Sequence, residues 1–218
     1  MISLITAYYK NEDMTIQFLD NLVGKIPKDT EVILVNAESK PIYHTIVTKR
    51  VDLKENKSFS NSMNEGIKAS TGDYICIIGN DGFPRTHNWL TELVDGIHRT
   101  GATIMCPDNT NPSLRRLARH IYKEGSRYVH VDMFPAICWV MKRETIDTVG
   151  LLDERFLIGT YEDDDYCKRV RDIGGKVIVD KEVVIEHLLS KTFGMFPVNE
   201  IMHNNFKLFK EKWGINGQ

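Results

Sequence analysis

Four consecutive carboxylates form the strongest acidic feature of the sequence. Glu162, Asp163, Asp164 and Asp165 follow a Gly-Thr-Tyr segment and open a predicted helix. Acidic side chains at a helix start are favoured by the helix dipole, so a solvated acidic N-terminus is the simplest interpretation. Adjacent carboxylates also repel one another, which raises the pKa of at least one of them and would suit a general base. The residues alone leave both interpretations open.

A second candidate site follows an apolar run at residues 74–78. There the chain reads Gly79-Asn80-Asp81-Gly82, which is good turn chemistry. Alternatively, Asp81 projects from the strand end as a hard oxygen ligand for Mg²⁺ or Mn²⁺, with phosphate oxygens completing the shell. His187, which follows another apolar run, is either a histidine at the core edge or a nitrogen ligand.

The elements that must position these residues alternate between strands and helices. Because the apolar runs are continuous, their strands are covered on both faces, as in a largely parallel sheet with ligands at the carboxyl ends of its strands. Strands are predicted at 2–8, 31–35, 45–51, 74–78, 102–106, 128–141 (interrupted at Pro135) and 176–180. Helices are predicted at 12–22, 60–69, 89–99, 113–123, 144–149, 163–173 and 201–213.

Composition limits the class of protein. With 218 residues, 42% hydrophobic and 27% charged, the chain is long enough for one sizeable domain, 1–218. A net charge of -2 excludes an overall field that drives binding to nucleic acid or anionic lipid. There is no apolar run of ~20 residues and no signal-peptide pattern, so we expect a soluble, cytoplasmic protein without a stable membrane anchor. The scattered cysteines predict buried free thiols.

Four stretches occur in a characteristic order: 3–11 (SLITAYYKN), 31–39 (EVILVNAES), 59–81 (a helix and strand ending in GND) and 136–187, which includes YEDDDYCKRV and ends at the histidine. In this order, and over nearly the whole chain, they resemble the family 2 glycosyltransferases of the GT-A fold. The resemblance implies an α/β fold with a mixed, mostly parallel sheet flanked by helices. It also implies a donor-binding half at 1–106 and an acceptor-binding half with a C-terminal helix at 107–218.

The resemblance further implies inverting transfer of a sugar from a nucleotide-diphosphate sugar, with a UDP-sugar as the expected donor, to an acceptor hydroxyl. Asp81 matches the last acid of the D-x-D motif and would hold Mn²⁺ or Mg²⁺, and His187 matches a late histidine that reaches metal or diphosphate. Asp163 matches the second residue of the family's Glu-Asp pair and would be the base, with Glu162 beside it. The residues matching the donor site are Thr6, Ala7, Tyr8, Asn36, Glu38, Asn64, Asn80 and Asp81. Those assigned to the acceptor are Arg115, Arg119, Trp139 and Asp165.

The sequence departs from the family pattern at three positions. Gly79 replaces the first acid of the D-x-D, which predicts weak metal binding that depends on the nucleotide. Asn36 replaces the usual Asp of the nucleoside loop, which weakens the preference for uridine. Ala136 stands where many relatives have Gly, so the donor sugar cannot be read from the acceptor loop.

A basic stretch, 113–130, distinguishes the acceptor half. It contains Arg115, Arg116, Arg119, Lys123 and Arg127 against a single glutamate. One interpretation is a solvated helix face. The other is a patch that grips a polyanionic acceptor, which could be a glycan, a lipid-linked sugar or DNA carrying hydroxymethylated pyrimidines.

Two other classes remain. A nucleotidyltransferase shares sugar nucleotides, but its Gly-rich basic loop has no counterpart near the N-terminus. A non-catalytic nucleotide-sugar-binding module is supported only by Gly79. The chain is expected to be a monomer or homodimer.

Overall fold

The computed structural model describes residues 1–110, 125–188 and 195–215. Within these ranges nine strands form one sheet, in the order β3-β2-β1-β4-β8-β6-β9-β5, and β7 pairs with β9 outside this path. The strands are β1 (Ile2–Tyr8), β2 (Glu31–Ala37), β3 (Lys49–Leu53), β4 (Tyr74–Ile78), β5 (Gly82–Pro84), β6 (Ile104–Asn109), β7 (Tyr128–Val131), β8 (Cys138–Lys142) and β9 (Val177–His187). The helices are α1 (Glu12–Leu22), α2 (Phe59–Ala69), α3 (Trp89–Thr100), α4 (Arg143–Val149), α5 (Glu162–Asp172) and α6 (Val198–Trp213).

The two halves of the sheet differ in strand direction. In the first half β3, β2, β1 and β4 run parallel to one another. In the second half β8 runs antiparallel to β4 and β6, and β9 pairs parallel with β6 but antiparallel with β5 and β7. The prediction of a mixed α/β sheet is confirmed, but parallel pairing is confined to the first half and to the β6–β9 pair.

Helices cover both faces of the sheet, as the continuous apolar runs require. On one face Met63 and Ile67 of α2 join Tyr166 and Val170 of α5 over the sheet. On the other, α1 and α3 contribute a second buried cluster that includes Phe18 and Trp89. All four cysteines are buried with free thiols, as expected.

Several predicted boundaries differ from the structure. The extended segment expected at 128–141 is two strands, β7 and β8, with a loop between them around Pro135. The strand expected at 176–180 continues to His187 as β9, because its second part pairs with β5, a short strand that the sequence did not predict. The helix expected at 113–123 lies outside the described residues.

Candidate active site

The carboxyl ends of β1, β2 and β4 open into a cavity of about 570 Å³. Its walls combine distant parts of the sequence: Tyr8 ends β1, Asp81 follows β4, His187 ends β9, and Glu162 and Asp163 begin α5. The crevice outside the strand ends is where open α/β sheets bind ligands. The fold therefore brings both predicted chemical features, the acidic run and the Asp81 turn, to one cavity.

Asp81 and His187 meet at one wall of this cavity. The His187 Nε2 atom lies 3.1 Å from Asp81 Oδ2. Strand pairing causes this meeting, because β5 and β9 are in register with Gly82 opposite His187, and the Leu188 amide donates to the Asp81 carbonyl. The sequence offered no signal for this pairing, since β5 has only three residues.

The pair fits one side of a divalent-metal shell. Adjacent ligands on an octahedral ion with bonds of about 2.1 Å lie about 3 Å apart, which is close to the separation of the two side chains. Among the described residues, no group of three or more His, Cys, Asp or Glu side chains could hold a metal. A metal bound by Asp81 and His187 would therefore need further oxygen ligands, such as phosphate oxygens.

Gly79 leaves room for the Asp81 carboxylate. A Cβ atom at position 79 would lie 2.8 Å from Asp81 Oδ1, closer than ordinary contact allows. The Gly82 amide donates to the Gly79 carbonyl across the turn. Any side chain at 79 would thus require the Asp81 carboxylate to move from its present position.

The start of α5 forms another wall, with Glu162, Asp163 and Asp164 all lining the cavity. Burial, followed by the charge of Asp164, raises the pKa of Asp163 to about 7. Burial and the Asp163 charge raise the pKa of Glu162 well above its usual range. Glu162 is 3% exposed, and its Oε2 atom has no hydrogen-bond partner within the described part of the chain. A carboxyl group with a pKa near 7 is suited to removing a proton at neutral pH.

The predicted donor residues divide into two groups. Ala7, Tyr8, Asn80 and Asp81 line the cavity. The remaining four, which do not line it, are Thr6, Asn36, Glu38 and Asn64.

The polar groups of two of those four are engaged elsewhere. The Asn64 amide donates to the Leu152 carbonyl and to Glu154, and accepts from the Leu152 amide, so it ties α2 to the 152–154 loop. Asn36 donates to Asp52 and to the Ser39 carbonyl.

The other two differ in exposure. Thr6 is fully buried in β1, and Glu38 is exposed directly after β2, where it accepts from the Asn56 amide. Instead, the cavity is lined here by Ala37, which ends β2, and by Asn56, which lies between β3 and α2.

The predicted acceptor residues do not line the cavity where the structure describes them. Trp139 is fully buried and donates to the Phe134 carbonyl. Asp165 is fully buried and accepts from Arg169, Lys212 and Trp213, which makes it a structural ion-pair centre. Both side chains point into the core because alternate strand positions and successive helix positions face different directions.

Arg115 and Arg119 lie outside the described residues, as do Arg116 and Lys123 of the basic stretch. Arg127, at its end, is described and is paired with Glu92, Asp180 and Glu182 at 2.7–2.9 Å. Its hydrogen bonds to Asp180 and Glu92, together with the Asp180 charge, raise the pKa of Arg127. Its charge is thus neutralised within the protein and is not free for a polyanion.

The model of the family described as "Glycosyl transferase family 2" matches residues 3–150, or 148 of the 218 residues. The chain belongs to glycosyl transferase family 2. The matched region contains the Asp81 turn but ends before Glu162, Asp163 and His187. No curated protein matches the sequence with statistical significance.

Solved glycosyltransferases share the fold at low identity. The mannosyltransferase PcManGT from Pyrobaculum calidifontis, in complex with GDP-Man and Mn²⁺, aligns with a TM-score of 0.78 and 16% identity over 100% of this chain and 65% of its own. GalNAc-T7 with UDP, GalNAc and Mn²⁺ aligns with a TM-score of 0.73 and 13% identity, over 95% of this chain and 47% of its own. S. aureus TarS aligns with a TM-score of 0.71 and 13% identity, over 97% of this chain and 39% of its own. This family 2 chain thus spans less than two thirds of the length of each.

Sequence reasoning missed several apolar residues of the cavity. Tyr9, Met133, Phe196 and Met202 all line it, and the Tyr9 and Phe196 rings lie 5.8 Å apart. Phe196 and Met202 belong to the C-terminal segment, whose helix α6 packs against Leu157, Tyr161 and Asp165 beside the cavity. No local pattern reports this, since the helical spacing of α6 predicts an apolar face but not its partner.

None of the helices within the described ranges is long and apolar enough to cross a bilayer.

Proposed function

We propose that this chain is a metal-dependent inverting glycosyltransferase that moves a sugar from a nucleotide-diphosphate sugar to an acceptor hydroxyl. The observation that carries the proposal is the cavity with a carboxylate of pKa about 7 on one wall and the Asp81–His187 pair on another. Proton removal and stabilisation of a leaving diphosphate are the two requirements of this reaction.

In the proposed reaction Asp163 takes the proton of the acceptor hydroxyl. The acceptor oxygen then attacks the anomeric carbon on the face opposite the diphosphate, the bond from that carbon to the diphosphate oxygen breaks, and the configuration inverts. The raised pKa of Asp163 improves the match between the base and a neutral medium. Glu162 is buried beside it, and burial together with the Asp163 charge raises the pKa of the Glu162 carboxyl.

Asp81 and His187 would hold Mn²⁺ or Mg²⁺. A divalent ion bound there supplies charge neutralisation for the departing diphosphate. Because the chain offers two ligands at this wall, the diphosphate itself would complete the shell, and metal and donor would bind together.

For the donor and the acceptor we propose chemical classes and not single molecules. UDP and GDP-Man, each with Mn²⁺, are bound by two structural neighbours, so UDP-sugars are the first donors to test and GDP-sugars the second. The Asn36 amide donates a hydrogen bond to Asp52. It therefore gives no reason to propose a preference for one nucleobase in the donor. Arg115 and Arg119 remain the basis for proposing a polyanionic acceptor, whether a glycan, a lipid-linked sugar or modified DNA. The apolar lining at Met133, Phe196 and Met202 suits an acceptor that presents a ring face beside its hydroxyl.

The test is donor turnover. Purified protein is incubated with UDP- and GDP-sugars, with Mn²⁺ or with chelator, and released nucleoside diphosphate is measured with and without candidate acceptors. Metal-dependent release that an acceptor accelerates, with inverted configuration in the product, supports the proposal. Tight nucleotide binding without release under any condition would identify a non-catalytic nucleotide-sugar-binding module instead.

A further inference from the structure

The segment 157–161 leads directly into Glu162 and Asp163 and has an unusual backbone. Ile158 (φ 65°), Gly159 (φ 110°) and Tyr161 (φ 69°) all lie in the left-handed region. For a β-branched residue such as isoleucine this region is a genuine outlier, whereas glycine adopts it readily. Such a conformation persists only where the surrounding structure imposes it.

Asn205 of α6 provides that constraint. Its side-chain nitrogen lies 2.9 Å from the Leu157 carbonyl, 3.0 Å from the Thr160 carbonyl and 2.7 Å from the Thr160 hydroxyl oxygen. Its oxygen accepts the Leu157 amide at 3.2 Å. The side chain is 2% exposed, so one buried amide contacts both ends of the strained segment.

The same helix fixes the next residues along the chain. The Tyr161 ring lies 5.5 Å from Phe206 and 5.8 Å from Phe209. Near the end of α6, Lys212 and Trp213 reach Asp165 in the first turn of α5. The segment before the base and the turn that carries it are therefore both attached to α6.

We infer that Asn205 is a positioning residue for the proposed base: by holding 157–161 in its strained conformation it sets where Asp163 lies in the cavity. The inference rests on the proposed function and extends it to a part of the chain, 195–215, that lies beyond the residues matched by the family. Because Asn205 does not line the cavity, it acts through the segment and touches neither donor nor acceptor.

The test compares Asn205→Ala with Asn204→Ala, a matched control at the exposed neighbouring position. Amide hydrogen exchange is measured first, because it does not depend on activity. Asn205→Ala should lose protection across 157–165 while β1, β2 and β4 stay protected, and Asn204→Ala should match the parent protein. Unchanged protection in Asn205→Ala overturns the inference whether or not the chain proves to be a transferase.

Steady-state transfer kinetics then separate positioning from a merely structural role. In Asn205→Ala, kcat should fall by ~10- to 100-fold, since a misplaced catalytic group costs about that much, while the donor KM stays within about twofold. Lost protection with unchanged kcat would overturn the positioning role. A parent protein without transfer activity would overturn the proposed function and, with it, this role, while leaving the exchange result to report on the segment.

A second substitution covers poor folding of the alanine variant. Asn205→Asp keeps the size of the side chain and its acceptor for the Leu157 amide but removes the donors to Leu157 and Thr160. It should reproduce both effects, and normal exchange together with normal kcat in this variant would also contradict the inference.

Discussion

The ionised, buried carboxylate of Asp163, which the proposed reaction needs as its base, should lower the free energy of unfolding of the protein. Its pKa is raised from 3.8 to about 7 by burial and by the Asp164 charge. Since each tenfold change in proton affinity is worth about 1.4 kcal/mol, holding Asp163 ionised costs the folded state up to about 4 kcal/mol. Asp163→Asn removes that cost while keeping the size of the side chain. At about pH 8 the variant should therefore be more stable than the parent by up to about 4 kcal/mol.

The pH dependence of this difference has a defined sign. Below about pH 4 Asp163 is protonated in both the folded and unfolded states, so it contributes nothing to the difference. Between about pH 4 and pH 7 the folded state keeps a proton that the unfolded state releases, so the free energy of unfolding of the parent falls relative to the variant as pH rises. Above about pH 7 the difference is constant. Because the Asp163 charge also raises the pKa of Glu162, the difference between the two profiles reports the ionisation of Asp163 together with its effect on Glu162.

Chemical denaturation across this pH range measures the stability, and transfer assays measure the function. Turnover of Asp163→Asn should fall ~10²-fold or more, with donor affinity within a few fold of the parent. In the parent, kcat/KM should rise with pH through about 7 as the base ionises. Asp172→Asn, an exposed carboxylate at the other end of α5, is the control and should change neither quantity. A variant no more stable than the parent at about pH 8 would refute the burial argument, and near-normal turnover would end the assignment of the base.

Three further predictions concern the Asp81 turn of the site and the buried ion pair of Asp165. In calorimetry, Asp81→Asn should weaken nucleoside-diphosphate binding by about tenfold or more with Mn²⁺ present and leave it unchanged with chelator; equal losses in both would argue against a metal bridge. Gly79→Ala should reduce the Mn²⁺-dependent part of that affinity, because its Cβ displaces the Asp81 carboxylate, and full affinity would show that the carboxylate can move without cost. Lys212→Met should lower the free energy of unfolding by about 3 kcal/mol by leaving the buried Asp165 charge short of a partner, while the exposed Lys207→Met should have little effect; equal values in denaturant titrations would discount the ion pair.

The sequence by itself determined most of the elements and which of their residues could carry chemistry. The continuous run in β2 requires a strand covered on both faces, and the structure buries all but its first residue. Local signals for strand ends place Asp81 directly after β4. Local signals for helix starts place the acidic run at the beginning of α5. Because both signals depend on neighbouring residues only, they can be read without knowing the rest of the fold.

Tertiary structure decided which of these polar residues face the cavity. Asn64 and Asp165 carry the same functional groups as Asn80 and Asp163, yet they bind Leu152 and Lys212 in the interior. The difference arises from the direction of each side chain and from the partner that packs opposite it, neither of which is encoded in residue type.

The same limit applies to contacts between distant elements. The His187–Asp81 contact required β5 to pair with β9, and the hydrogen bonds of Asn205 to 157–161 required α6 to pack against the segment before α5. Each joins residues at least 45 positions apart along the chain. Helical and strand periodicities extend over one element at a time, so they predict which face of an element is apolar but not the element that will cover it.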